Sequence, residues 1–251
     1  MSFEVAADAY DRYMGRFSRP LAAEFLAWAG AGDGPPVLDV GCGPGALTTT
    51  LVDALGAQHV AAVDPSESFV SAVVLRLPGV DARHASAERL PFDDGTFGAA
   101  YAQLVVHFMT DPVAGLAEMR RVVRPGGTVA ACVWNFGVGS PIGPFWDAAH
   151  EIDPHAPVET GRPGTREGEL ARFAADAGLA DVVGGTVEVD IPMATFEEWW
   201  EPFTFRVGPA GDYVASLSPD TRERLRDACR KRLPDAPFDV TARAWAVRAT
   251  A

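Results

Sequence analysis

Lysine is almost missing from this chain: Lys231 is the sole one, and acids outnumber basic residues 34 to 21. The resulting formal net charge of −13 leaves no broad basic face, which argues against nucleic acid and anionic membrane as partners. One arginine-dense stretch, residues 222–232 (RERLRDACRKR), alternates cations with acids and apolar residues, so it reads as a solvated helix face. Cysteine is scarce as well. Cys42, Cys132 and Cys229 lie too far apart for a disulfide framework or a zinc site. Long apolar runs are absent: none reaches the roughly 20 residues of a membrane-spanning helix. The N-terminus lacks a charged-then-apolar secretion signal, and a cytoplasmic protein is expected.

What is present is organised around residues 35–48, PPVLDVGCGPGALT. The apolar run 37–40 reads as a buried parallel strand. Gly41, Gly43 and Gly45 then alternate around Pro44, and an apolar, threonine-rich helix follows to Gly56. A strand feeding a glycine turn that opens a helix cradles a ligand, because glycine turns at positive φ and lets backbone approach closely. Two ligand classes fit. Gly41-x-Gly43-x-x-Ala46 satisfies the dinucleotide pattern, with Asp64 at the spacing of a ribose-binding acid. Asp39, two residues before the first glycine, favours instead a cationic ligand such as one bearing an ammonium and a sulfonium. The short-chain nicotinamide enzymes also need a tyrosine four residues before a lysine, and the residue four before Lys231 is Asp227.

Downstream, residues 59–63 (HVAAV) form a second buried strand ending at Asp64, and Pro65 starts a helix with Ser66 and Glu67 in its first turn. A third strand is expected over residues 80–83 and a fourth over 99–105, with Gln103 near its tip and Leu104, His107 and Phe108 at or just beyond it. A turn at Arg124-Pro125-Gly126-Gly127 leads to a fifth strand, residues 128–133. Strand and helix alternate throughout, which implies a parallel sheet wound on both faces.

With VLDVGCGPG, the acid Asp64, the segment LPFDDGTF and the turn VRPGG, the chain resembles the class I S-adenosylmethionine-dependent methyltransferases of the type 11, UbiE-like kind. The resemblance implies an α/β, doubly wound Rossmann-like sheet of seven strands, the last inserted antiparallel beside the fifth. It implies S-adenosylmethionine as cofactor, with Asp64 on the ribose, Pro65 and Ser66 flanking the adenine, and Ser86, Ala87 and Glu88 in the adenine loop. Two positions depart from the family pattern: Ser86 and Gly98 stand where acids are usual. The segment from Tyr10 through Tyr13, Met14 and Arg16 to Phe17 resembles a lid that closes over the cofactor; its aromatic stripe could equally pack on the core.

One domain is expected over residues 1–251: a lid of two helices split near Pro20 (1–30), a cofactor core (33–135), cap insertions (136–166 and 192–236) and the rest of the sheet (167–191 and 237–251). Tyr10, Trp134, Trp146, Trp199 and Phe203 either line a pocket for a small organic acceptor or form the cap's own core. The implied reaction is in-line methyl transfer, and His107 is the candidate base for an oxygen acceptor. No metal is expected, since Gln103 and His107 are poor substitutes for clustered Asp and Asn ligands. The chain is expected to act as a monomer or homodimer. A nicotinamide oxidoreductase and a non-catalytic S-adenosylmethionine-binding protein are the alternatives.

Overall fold

The computed structural model describes residues 11–30, 34–137, 139–157, 159 and 161–251. Seven strands make one sheet: β1 (Val37–Val40), β2 (Val60–Asp64), β3 (Asp81–His84), β4 (Phe97–Gln103), β5 (Val123–Trp134), β6 (Ala180–Met193) and β7 (Phe238–Thr250), in the order β3-β2-β1-β4-β5-β7-β6. The first five run parallel. β7 is antiparallel to both β5 and β6, the inserted last strand that the resemblance implied.

Side chains alternate across this sheet with the period of two that extended backbone imposes. Val37, Val60, Ala99, Tyr101, Ala130 and Cys132 face one core, shared with α1 (Arg16–Ala29) and α2 (Ala46–Leu55). Leu38, Val40, Ala61, Val63, Ala100 and Ala102 face the other, against α4 (Pro112–Val122) and α6 (Glu169–Asp176). Between them in sequence, α3 (Glu67–Arg76) follows β2, and α5 (Gly143–Ile152) begins the cap. The cap is completed by α7 (Phe196–Trp200), α8 (Gly208–Ser216) and α9 (Pro219–Arg230). Among the described residues no helix is long and apolar enough to cross a membrane.

Three details differ from the sequence reading. The N-terminal segment does not split at Pro20: a π-helical turn, Asp11–Gly15, runs straight into α1, which continues through the proline. Pro20 lies near the start of that helix and has no N–H, so the helix gives up one backbone bond there. The basic stretch of α9 is also not simply solvated. Arg226 and Arg230 both pair with Glu197 of α7, at 3.0 and 2.6 Å, and Arg232 pairs with Glu151 of α5.

The third difference explains a departure from the family pattern. VRPGG is not a turn before β5 but part of it, since Val123 already pairs with Phe97, and the register shift between Phe97 and Ala99, where β4 advances two residues while β5 advances five to Thr128, absorbs the surplus. At that bulge a Cβ on Gly98 would lie 1.9 Å from the carbonyl oxygen of Gly34, and one on Gly127 would lie 2.5 Å from that of Gly98. No side chain fits where the family usually has an acid. Gly98→Ala is therefore expected to destabilise the fold by roughly 1–3 kcal/mol or more through forced backbone displacement, read as a shifted midpoint in chemical denaturation.

Candidate functional site

At the carboxyl ends of β2, β1 and β4 a cavity of about 110 Å³ opens. Its lining includes Asp39, Gly41, Cys42, Gly43, Pro44, Asp64, Pro65, Gln103, Leu104 and Phe108, joined by Ser18, Ala46, Leu47, Phe69 and Val105. The glycine turn supplies the floor. Gly41, Gly43 and Gly45 have φ of 70, 53 and 97°, a region that residues with a Cβ avoid. Space matters as much as φ at Gly41, where a Cβ would come within 2.4 Å of Val105. At Gly43 a Cβ would meet nothing within 4 Å, because that face of the turn looks into open space.

Two buried carboxylates frame the turn. Asp64 accepts hydrogen bonds from the amides of Gly43 (2.9 Å) and Ser66 (2.8 Å). Burial raises its pKa above the ordinary 3.8, while those two amides pull the other way. Asp39 lies on the α2 side of β1 and accepts from the Thr48 hydroxyl at 2.6 Å. Burial pushes its pKa up to about 7, with the Thr48 bond opposing and the charge of Asp64 adding to the rise. Cys42, in the same turn, is buried and its thiol is pushed well above its usual range, so it packs rather than reacts.

The opposite wall comes from β4 and α1. Immediately after β4, Leu104 adopts a left-handed φ of 62°, held by its amide on the carbonyl of Cys132 at 2.8 Å. Such strain in a residue with a side chain persists where the surroundings over-determine it. Gln103 donates from Nε2 to the Ser18 carbonyl of α1 at 2.8 Å, while its Oε1 is buried without a partner.

Other expected residues sit elsewhere. Tyr10 lies outside the described residues. Tyr13 and Met14 are buried in the core, and Tyr13 sets its ring edge-on to Phe203 at 5.6 Å. Arg16 is turned to the cap, donating to the carbonyls of Glu198 and Trp199 at 2.7 and 3.2 Å. Ser86 is exposed, Ala87 is buried in the core, and Glu88 accepts from the amide of Thr110 at 2.8 Å, so none of the three lines the cavity. Gly45 shapes the turn and Ser66 anchors Asp64, both from outside the lining.

Trp134, Trp146, Trp199 and Phe203 are buried in a ring cluster that continues the α1 core. Phe203 stacks on Phe145 at 4.5 Å and lies 4.9 Å from Trp199, while Trp146 donates from its indole to Glu159 at 2.8 Å. Two of the cluster's polar atoms, Trp199 Nε1 and Tyr213 Oη, are buried without a partner. His107 does not line the cavity. It is buried between Phe108 and Phe136, its Nδ1 is unpartnered, and burial with nearby Arg162 pushes its pKa down to about 3. A ring that weakly basic is a poor proton acceptor at neutral pH, which weighs against the expected role as base.

Sequence reasoning did not name Pro44, Ala46 and Leu47 of the glycine turn as lining, and it missed Ser18, Phe69 and Val105 outside that turn. Ser18 falls four residues after Met14 on the same helical face, a polar residue in an apolar stripe, and that was the available signal. Phe69, near the start of α3, follows Asp64 closely enough to share its strand tip.

Two measurements check this electrostatic picture. With a folded pKa near 7 against 3.8 unfolded, the neutral form of Asp39 favours folding fully below pH 4, and that advantage is lost as pH rises toward 7. Relative to the wild type, Asp39→Asn is thus expected to gain stability across that window, by up to about 1.4 kcal/mol per pH unit, and to level off above it; a flat difference would refute the raised pKa. For His107, carbon-bound ring proton resonances, assigned by comparison with His107→Asn, are expected to hold still between pH 5 and 8. A midpoint near 6.5 would restore it as a base.

The sequence model of the family described as "Methyltransferase domain" matches residues 38–131. An uncharacterized methyltransferase of Mycobacterium bovis is 37% identical over 54% of this chain and 52% of its own length. The chain spans about half the length of the curated relatives it matches first. Among solved structures, a protein held in complex with the Haloferax volcanii Trm112 methyltransferase activator superposes with a TM-score of 0.60 at 22% identity, covering 98% of this chain and 95% of its own. A geranyl diphosphate methyltransferase in complex with S-adenosylmethionine superposes with a TM-score of 0.53 at 20% identity, covering 99% and 92%. Sheet order, glycine turn and family match agree over residues 38–131, which match the methyltransferase domain family.

Proposed function

We propose that this chain transfers a methyl group from S-adenosylmethionine to a small organic acceptor. One observation carries the choice of donor: the glycine turn is bordered by the carboxylates of Asp39 and Asp64, and Asp64 already occupies the amide of Gly43. A pyrophosphate would lose that amide and face two acids. A cation gains from both. The open face at Gly43 and the unpartnered Oε1 of Gln103 fit the same ligand, one leaving room for close approach and the other offering an acceptor.

S-adenosylmethionine, when bound, supplies a methyl on a positively charged sulfur, open to displacement by an aligned nucleophile. The chain's own residues then have modest tasks. Asp64 can accept ribose hydroxyls with its remaining lone pairs, Asp39 balances positive charge, and Phe69 and Pro65 wall the nucleoside end. Alignment and exclusion of water fall to α1 and the cap, with the lid, core and cap working as one unit. The acidity of the chain supports a small acceptor over a polyanion. With His107 so weakly basic, proton removal is left to solvent or to the acceptor itself.

Parallel calorimetric titrations with S-adenosylmethionine, S-adenosylhomocysteine and NADPH test the donor. The first two are expected to bind and the third not; uptake of NADPH alone would overturn the proposal. Asp64→Ala is expected to weaken S-adenosylhomocysteine about tenfold or more, the scale of a lost hydrogen bond to a charged group. A labelled methyl donor with a compound panel then identifies the acceptor.

A further inference from the structure

Arg162 sets a positive charge beside the β4 end of the cavity. Its guanidinium carbon lies 5.2 Å from the ring centre of Phe108, and Phe108 lines the cavity with 42% of its surface exposed. The loop that carries Arg162 is fixed. Thr165 donates to the Arg162 carbonyl from its amide at 3.3 Å and from its hydroxyl at 2.7 Å, and Trp245 donates to the Thr165 carbonyl at 3.1 Å. Nearby Glu159 is held by the Trp146 indole at 2.8 Å and drawn toward its charged form by Arg162, against its own burial.

Charge is laid out unevenly along the cavity. Asp39 and Asp64 belong to β1 and β2, whereas Phe108 follows β4. These strands are successive neighbours, so the tips of β2 and β4 stand two strand spacings, about 10 Å, apart. Arg76, another cation that touches the lining, reaches Pro44 at the acidic end and pairs with Asp11. An anion is therefore favoured at the β4 end, away from both acids. His107, 3.9 Å from Phe108, offers that end a neutral ring whose Nδ1 is buried with no partner among the described residues. A neutral imidazole can place its one N–H on Nδ1 and give it to an oxygen. What His107 cannot do at neutral pH is take a proton, and a carboxylic acid, unlike an alcohol or a phenol, arrives there with its proton already lost.

We propose that the acceptor is a small carboxylic acid, its apolar body against Phe108 and its carboxylate held by Arg162, and that the product is the methyl ester. One carboxylate oxygen bonds the methyl carbon, the carbon–sulfur bond breaks with its electron pair going to sulfur, and no proton moves. This rests on the methyl-donor assignment above and names the acceptor class which that assignment leaves open. Arg162 stands outside the cavity lining, so binding of the donor does not depend on it.

The test uses protein saturated with S-adenosylhomocysteine, titrated in a calorimeter with cinnamate and octanoate and with their uncharged amides. At least one carboxylate is expected to bind about tenfold or more tighter than its amide, the scale of hydrogen bonds to a charged group. Arg162→Gln is expected to erase that preference while S-adenosylhomocysteine still binds as in the wild type, which shows the variant to be folded. Arg162→Lys keeps the charge without the planar fork and is expected to retain part of the preference. With labelled S-adenosylmethionine, label carried by the preferred acid is expected to leave as methanol in alkali, as it does from an ester and not from an ether or a methylamine. The proposal is overturned if neither carboxylate outbinds its amide, if the preference survives intact in Arg162→Gln, or if the label resists alkali. If Arg162→Gln does not fold, Arg162→Lys decides: a reduced preference supports the contact, and an undiminished or abolished one overturns it. Failure of the wild type to bind S-adenosylhomocysteine would refute the donor assignment itself, a separate outcome.

Discussion

The site depends on one pair of hydrogen bonds, those that Asp64 accepts from Gly43 and Ser66. They join the turn after β1 to the tip of β2 and to the start of α3. Gly43 sits at a φ of 53°, where its amide cannot join a helix or sheet ladder, and the carboxylate gives that amide a buried partner. The same bonds fix the sign of the local field. A turn of this shape often offers its amides to phosphate; here a neighbouring strand has filled one with negative charge. Structural support and ligand preference therefore come from a single side chain, and burial opposes that charge throughout.

Much of this was readable in the chain because it is local. VLDV and HVAAV are short apolar runs closed by glycine or acid, and a parallel strand buried on both faces has little choice but to look so. The glycine turn and Asp64 stood out for the same reason. What could not be read depends on contacts between distant residues. Nothing local says that the backbone of Gly34 crowds Gly98 and that of Gly98 crowds Gly127, so the absence of an acid at 98 stood as a bare departure from the family pattern when it is a packing necessity. Pro20 signals a break, but the helix from Arg16 to Ala29 runs through it. His107 illustrates the remaining gap: imidazole is poised near neutrality only in water, and Phe108 and Phe136 have taken the water away.

The cap shows how aromatic residues that suggest a pocket can instead make a structure. Phe145, Trp199, Trp200 and Phe203 fill one another's faces, and Glu197 gathers Arg226 and Arg230 over the outside. Arg226 and Arg230, on the face read from the chain as solvated, thus pair with an acid of the cap.

The Asp11–Arg76 contact at 2.7 Å and the Arg16 bonds to the cap have a common result. Arg76 also reaches the carbonyl of Pro44 at 3.3 Å, so the stretch from Asp11 to Arg16 is moored to the glycine turn at one end and to α7 at the other. Strain at either mooring is therefore passed to the other through one short helical stretch.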